Sequence, residues 1–193
     1  ATHGIILKDV FVPDEDSLVV PGAFLKMMDL SRGNMVGNQL AGTACYLGAA
    51  QSVFDFALDF LNKAKFKDTG ESLSMSPLHQ QLIGDMATDL ETGYLWLRRQ
   101  LELETCEPPL LEKREVVMQW RLCKGEVSEA AFRVAQTALK ACGTGNTTND
   151  RPIARALRDL AMGLVQAFPA ERGRLEVAKT IVQGREQTIF APA

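Results

Sequence analysis

The sequence is poor in the groups that mark several large functional classes. It has only two histidines, His3 and His79, and its four cysteines, Cys45, Cys106, Cys123 and Cys142, lie far apart. No pair has the short spacing of a zinc site or a redox dithiol, so neither a metal centre nor a disulfide framework is expected. Reduced cysteines serving as small apolar packing residues are. Charge of one sign is lacking too. A net charge of −3 is scattered along 193 residues without a basic stripe, which argues against a protein that neutralises the phosphates of nucleic acid. No apolar run approaches the roughly 20 residues of a membrane span, and the first residues have neither the basic nor the apolar region of a signal peptide. A soluble, cytoplasmic protein with one main core is expected, since an average domain takes about 150 residues.

Gly4 to Pro13 is rich in β-branched residues and stops at proline, which reads as one strand over Ile5 to Val12. A lone strand leaves its backbone donors and acceptors unmatched, so it needs a partner that the rest of the sequence does not offer. From about Ala23 the pattern turns helical. Ala23 to Lys65 reads as one long helix whose second half sets Leu47, Ala50, Phe54, Ala57 and Leu61 on one face. Its first half carries Gly33, Gly37, Gly42 and Gly48. Each glycine costs a helix up to about 1 kcal/mol relative to alanine, and close packing is the expected reason for tolerating them. Ser76-Pro77 opens a second helix with Ile83, Met86 or Ala87, Leu90, Tyr94, Leu97 and Leu101 as its apolar row, closed by Pro108-Pro109. A third helix, Leu111 to Ala141, ends at Gly143 as a left-handed cap, and two shorter ones run from Pro152 to Gln166 and from Pro169 to Gln183. Amphipathic helices on short loops pack as an antiparallel bundle. The expected fold is mainly α: residues 1–22 form a short β segment with its linker, and residues 23–193 a helical bundle.

Between Lys124 and Glu171, the residues Lys124, Glu129, Gly143, Gly145, Pro152, Arg155, Arg158 and Asp159 stand at telling intervals. A lysine-bearing helix leads into Cys142-Gly143-Thr144-Gly145-Asn146, and then into Arg151-Pro152-Ile153-Ala154-Arg155-Ala156-Leu157-Arg158-Asp159. This order resembles the C-terminal helical domain of the acyl-CoA dehydrogenase family of flavoproteins. Glycines in such a turn let backbone amides approach an anionic cofactor closely. The Arg158-Asp159 pair reads as a structural ion pair that fixes helix orientation. By the same resemblance, residues 1–22 are the end of the family's middle β domain. The chain then looks like the C-terminal half of a family member, whether processed, truncated or separately encoded as a subunit.

The resemblance implies FAD as cofactor and a set of site residues. Lys63 and Phe66, followed by His79-Gln80, match a segment that touches the flavin diphosphate across a dimer interface. Lysine offers that phosphate a point charge where the family has the planar fork of arginine. Gly143, Thr144 and Gly145 join Lys63, Phe66 and Gln80 as implied cofactor contacts, and Ser31 and Arg32, within Asp29-Leu30-Ser31-Arg32, as implied substrate contacts. Dehydrogenation of an acyl thioester needs a carboxylate base at the α carbon. The family's usual position for that base falls on Ala167, and its alternative position on Ser31 or, in a second register, on Asn38. None of these can take a proton. Glu171 and Asp29 are the carboxylates nearest the two places, and their plainer reading is as surface or helix-capping residues.

The function implied is part of an FAD-dependent, acyl-CoA dehydrogenase-like oxidoreductase acting on acyl-CoA or a related thioester, with the usual glutamate absent. One alternative is a flavin-dependent monooxygenase of the same fold, which needs no α-proton base; some of those place a histidine where this chain has Gln166. Another is a non-catalytic helical assembly subunit. Unpaired strand and apolar helix faces call for a homo-oligomer such as a homotetramer, or for a partner carrying the N-terminal and β domains.

Overall fold

A computed structural model describes residues 6–17, 21–22, 39–166 and 169–184. The candidates Asp29, Ser31, Arg32, Asn38 and Ala167, like Gly33 and Gly37, lie outside the described residues. Among those described, the chain forms five α-helices: α1 (Gln39–Lys63), α2 (Pro77–Thr105), α3 (Lys113–Cys142), α4 (Pro152–Val165) and α5 (Ala170–Gln183). The punctuation in the sequence explains their limits. Pro77 and Pro152 occupy first-turn positions, where the missing N–H costs nothing. Glu112 and Glu115 form a reciprocal capping box at the start of α3. At its end Gly143 has φ 77° and ψ −179°; the positive φ is as expected, but ψ is extended, not left-handed helical. The cap is completed instead by buried Asn146, whose amide donates to the Cys142 carbonyl at 3.0 Å.

The segment read as a strand, Ile5 to Val12, forms no ladder over its described residues. Ile6 is 95% exposed and Phe11 86% exposed, and an extended chain with no neighbouring strand has nothing to receive its hydrogen bonds. Among the described residues the one bridge between extended residues, Lys65 with Ser72, closes the loop between α1 and α2.

Helix α3 is the centre of the bundle and packs against each of the other four helices. Its buried surface is made largely of small residues, Ala130, Ala131, Ala135, Ala138 and Ala141, with Trp120 at one end. Small side chains let four neighbours approach one helix, and close packing is where dispersion and burial act together. On α1 the buried row is Leu47, Ala50, Val53, Ala57 and Leu61, with Phe54 half-buried beside it. On α2 the expected row holds at Met86 and Leu90, with Ile83 and Leu97 half-buried against the core, and drifts towards the end of the helix. Tyr94 and Leu101 are exposed, and the inward row is Leu82, Met86, Leu90, Gly93, Gln100 and Leu103. Gln100 is tolerated there because its amide donates to the Val116 carbonyl at 3.3 Å.

The packing glycines are also not those expected. A methyl group at Gly42 or Gly48 would meet nothing within 4 Å, whereas one at Gly125 would lie 2.9 Å from the Ala170 backbone and one at Gly173 would lie 2.6 Å from the Arg121 carbonyl oxygen. Gly125 and Gly173 thus let α3 and α5 touch backbone to backbone. Gly173→Ala is therefore expected to lower stability by about 1–3 kcal/mol through overpacking. Gly48→Ala, at an open helical site, should raise it by up to about 1 kcal/mol. Urea unfolding of the two variants, compared with the parent, checks both signs.

Candidate functional site

The end of α4 meets a buried cation. Gln166, just past the helix, is extended at φ −79° and ψ 139°, so α4 lacks the left-handed glycine that commonly closes a helix. Its last carbonyls must find donors elsewhere. Lys124 of α3 supplies them: its ammonium donates to the carbonyls of Gly163 at 2.6 Å and Gln166 at 2.8 Å. Lys124 is only 3% exposed. The ring of Tyr46, from α1, lies 6.0 Å from the ammonium, and its hydroxyl donates to the side-chain oxygen of Gln166 at 3.5 Å. Three helices therefore converge on the break between α4 and α5, the stretch that contains position 167. Burial pulls the Lys124 ammonium down to about 8 from its ordinary 10.5, and the Glu171 carboxylate pulls it back up.

Beside the break opens a cleft of about 250 Å³, lined by residues that include Ser128, Phe132, Leu164 and Glu171. Glu171 is exposed in the first turn of α5, where a carboxylate is favoured by the helix dipole. Its outer wall is charged. Arg174 of α5 holds Glu126 at 2.7 Å and Glu129 at 2.6 Å, and Arg133 donates twice to Asp89 of α2, at 2.7 and 2.9 Å. Glu129, then Glu126, push the Arg174 guanidinium above its usual range. The expected Arg158-Asp159 pair does not form. Asp159 pairs with Arg155 at 3.4 Å, and Arg158 donates to Asn149 at 3.3 Å. Adjacent residues on a helix point about 100° apart, whereas residues four apart share a face.

The residues expected around a cofactor sit elsewhere. The cross-helix pairs Gln100 with Val116, Glu104 with Trp120 and Asp89 with Arg133 set an antiparallel register, which places the first turn of α2 level with the last turn of α3. Phe66, Gln80 and the turn Gly143, Thr144, Gly145 thus share one end of the bundle. Phe66 meets His79 edge-on, with ring centroids 6.0 Å apart. Gln80 and the three turn residues are exposed. Lys63 is held by Asp59 at 2.7 Å. This end and the Lys124 break are not one site within a chain: Lys124 and Gly143 are 19 residues apart on the same helix, or about 28 Å at 1.5 Å per residue.

The comparison with known proteins decides the family. A family model described as "Acyl-CoA dehydrogenase, C-terminal domain" matches residues 28–185. The chain belongs to the acyl-CoA dehydrogenase family. It is 26% identical over 178 residues to 3-sulfinopropanoyl-CoA desulfinase of Paraburkholderia xenovorans, covering 90% of this chain and 42% of that protein. It is 26% identical over 181 residues to the human mitochondrial short-chain specific acyl-CoA dehydrogenase, covering 92% and 40%. The chain thus spans about two fifths of the length of these relatives. Among solved structures, dibenzothiophene monooxygenase of Paenibacillus sp. A11-2 shares the fold with a TM-score of 0.67 at 17% identity, over 84% of this chain and 45% of that one.

Within this acyl-CoA dehydrogenase family domain, sequence reasoning missed Tyr46, Asn146 and Arg174, and saw Lys124 only as a spacing marker. Its place at helical spacing from Val117, Trp120, Val127 and Ala131, all of them buried, was the available signal. The buried groups also set a pH profile. The unfolded chain keeps a proton on Lys124 up to about 10.5 while the folded chain loses it near 8, so stability rises with pH from about 8. Burial pushes the Cys123 thiol up to about 12 and Cys142 up to about 11. Unfolded thiols ionise near 9, so above that pH these two outweigh the lysine and stability falls. Each such proton is worth about 1.4 kcal/mol per pH unit. Stability is expected to peak near pH 9, with Lys124→Met abolishing the rise and Cys123→Ala lessening the fall, as read by urea midpoints across pH 7 to 11.

Proposed function

We propose that this chain forms the helical part of an FAD-dependent oxidoreductase acting on acyl-CoA thioesters, assembled as a homo-oligomer, with no general base at position 167. The observation that carries this reading is the family match across residues 28–185, within which α3, the glycine turn, α4 and the break follow in the implied order. The bundle end fits the cofactor. His79 Nδ1 is buried without a hydrogen-bond partner, and the turn at Gly143 and Gly145 leaves open space beside its backbone. An unmatched polar atom and an uncovered turn suit a ligand with anionic and hydrogen-bonding groups. Phe66, Gln80 and the amides of Gly143, Thr144 and Gly145 would hold the flavin, with Lys63 contributing only by leaving Asp59. Bound FAD supplies the electron acceptor.

The separation of about 28 Å along α3 supports a site shared between two copies, one giving the flavin contacts and the other the break. Ser31 and Arg32 are proposed on the substrate side. Because Ala167 cannot accept a proton, proton removal falls to Glu171, which borders the cleft, to Asp29, or to no residue of this chain. The last case favours a second reading, flavin-dependent oxygen chemistry of the monooxygenase kind, in which an α-proton base is not needed. A non-catalytic assembly subunit remains the third reading, and the apolar residues exposed on α5, Leu175, Ile181 and Val182, support assembly in each.

A general base contributes about 10²- to 10⁴-fold to such a reaction. The flavin-loaded protein, mixed anaerobically with acyl-CoA thioesters, is therefore expected to bleach slowly if at all, and Ala167→Glu to bleach faster by that order. Bleaching as rapid in the parent, and surviving Glu171→Gln with Asp29→Asn, would place the catalytic slot elsewhere. No binding of FAD by the assembled protein would overturn the oxidoreductase reading itself.

A further inference from the structure

We propose that Lys124 is the positioning residue of the break between α4 and α5, holding the peptide that leads into position 167 through the last carbonyls of α4. The geometry has one job to do. Helix α4 ends without a glycine cap, and the carbonyl of its buried Gly163 lies where no water replaces a missing donor. The Gly163 and Gln166 carbonyls both converge on one ammonium, and a cation at the negative end of a helix is favoured by the dipole as well. Local sequence supplies nothing comparable at this break, whereas α3 has Asn146 and α5 ends at Gly184 with φ 62°.

The surroundings are shaped to let the lysine in. Gly163 has no side chain, and a methyl there would stand 3.2 Å from both Ser128 and Tyr46. Gly125, next to Lys124, brings Ala170 of α5 against α3. The break is thereby held on both sides: α4 by hydrogen bonds to Lys124, and α5 by backbone contact one residue further along α3. Gln166 is gripped twice, at its carbonyl by Lys124 and at its side chain by Tyr46. Its carbonyl carbon is bonded to the amide nitrogen of residue 167, so the hydrogen bond from Lys124 acts on the peptide group that leads into that position. The consequence for chemistry rests on the reading of position 167 as the catalytic slot; the positioning itself does not.

The test needs neither flavin nor turnover. Lys124→Met keeps the stem and removes the donors. Amide hydrogen exchange over residues 163–170 is expected to rise at least about tenfold, with α2 unchanged and Lys124→Arg recovering part of the protection. Unchanged exchange across the break would overturn the proposal. Should Lys124→Met fail to fold, acetylation of the unaltered protein decides: Lys124 reacting at least tenfold more slowly than Lys63 and Lys67 supports it, and equal reactivity sinks it. Absence of acyl-CoA chemistry would defeat the functional reading while leaving these outcomes intact.

Discussion

A helix packed against four others must find an internal partner for the polar groups it buries, and that constraint on α3 organises the molecule. Its alanines and Gly125 bring the neighbours close, and closeness excludes the water that Lys124, Ser128 and Gln100 would otherwise use. Ser128 turns its hydroxyl back to the Lys124 carbonyl at 2.7 Å. Lys124 itself is matched only if α4 ends where it does. A buried ammonium without partners costs several kcal/mol, and carbonyls at a dry helix end cost nearly as much. Each solves the other's problem, so the position of the break follows from the enclosure of α3.

The same helix acts as a ruler. One end, with Gly143 and the adjoining first turn of α2, is open and carries exposed backbone; the other half, around Lys124, is sealed and carries charge inside. The outer ion pairs of Arg174 and Arg133 tie α5 and α2 to α3 across the cleft. They are partly exposed, so they add orientation more than stability.

Much of the architecture was legible before any coordinates. The starts at Pro77 and Pro152, the stop before Pro108, and the positive-φ residue at Gly143 are local backbone chemistry, and local chemistry is written in adjacent letters. The inward row of α2 was not, because Gly93 and Gln100 carry no apolar signal while Tyr94 and Leu101, on the neighbouring row, do. The tight glycines were misplaced for a like reason. Gly48 and Gly173 look alike in a helix, and only the second has another backbone against it.

By itself the sequence determined where α2 to α5 run, that the helices form a bundle, which family pattern they follow, and that position 167 is alanine. Those properties depend on periodicity, on proline and glycine, and on intervals along one chain. Tertiary structure alone decided that Lys124 closes α4, that Asp159 pairs with Arg155, and that the glycine turn shares an end of the bundle with Phe66 and Gln80. Such facts depend on which residues meet across distances of dozens of positions, and a hydrogen bond or a methyl-sized gap is settled by packing to within an ångström, a scale that spacing along the chain does not encode.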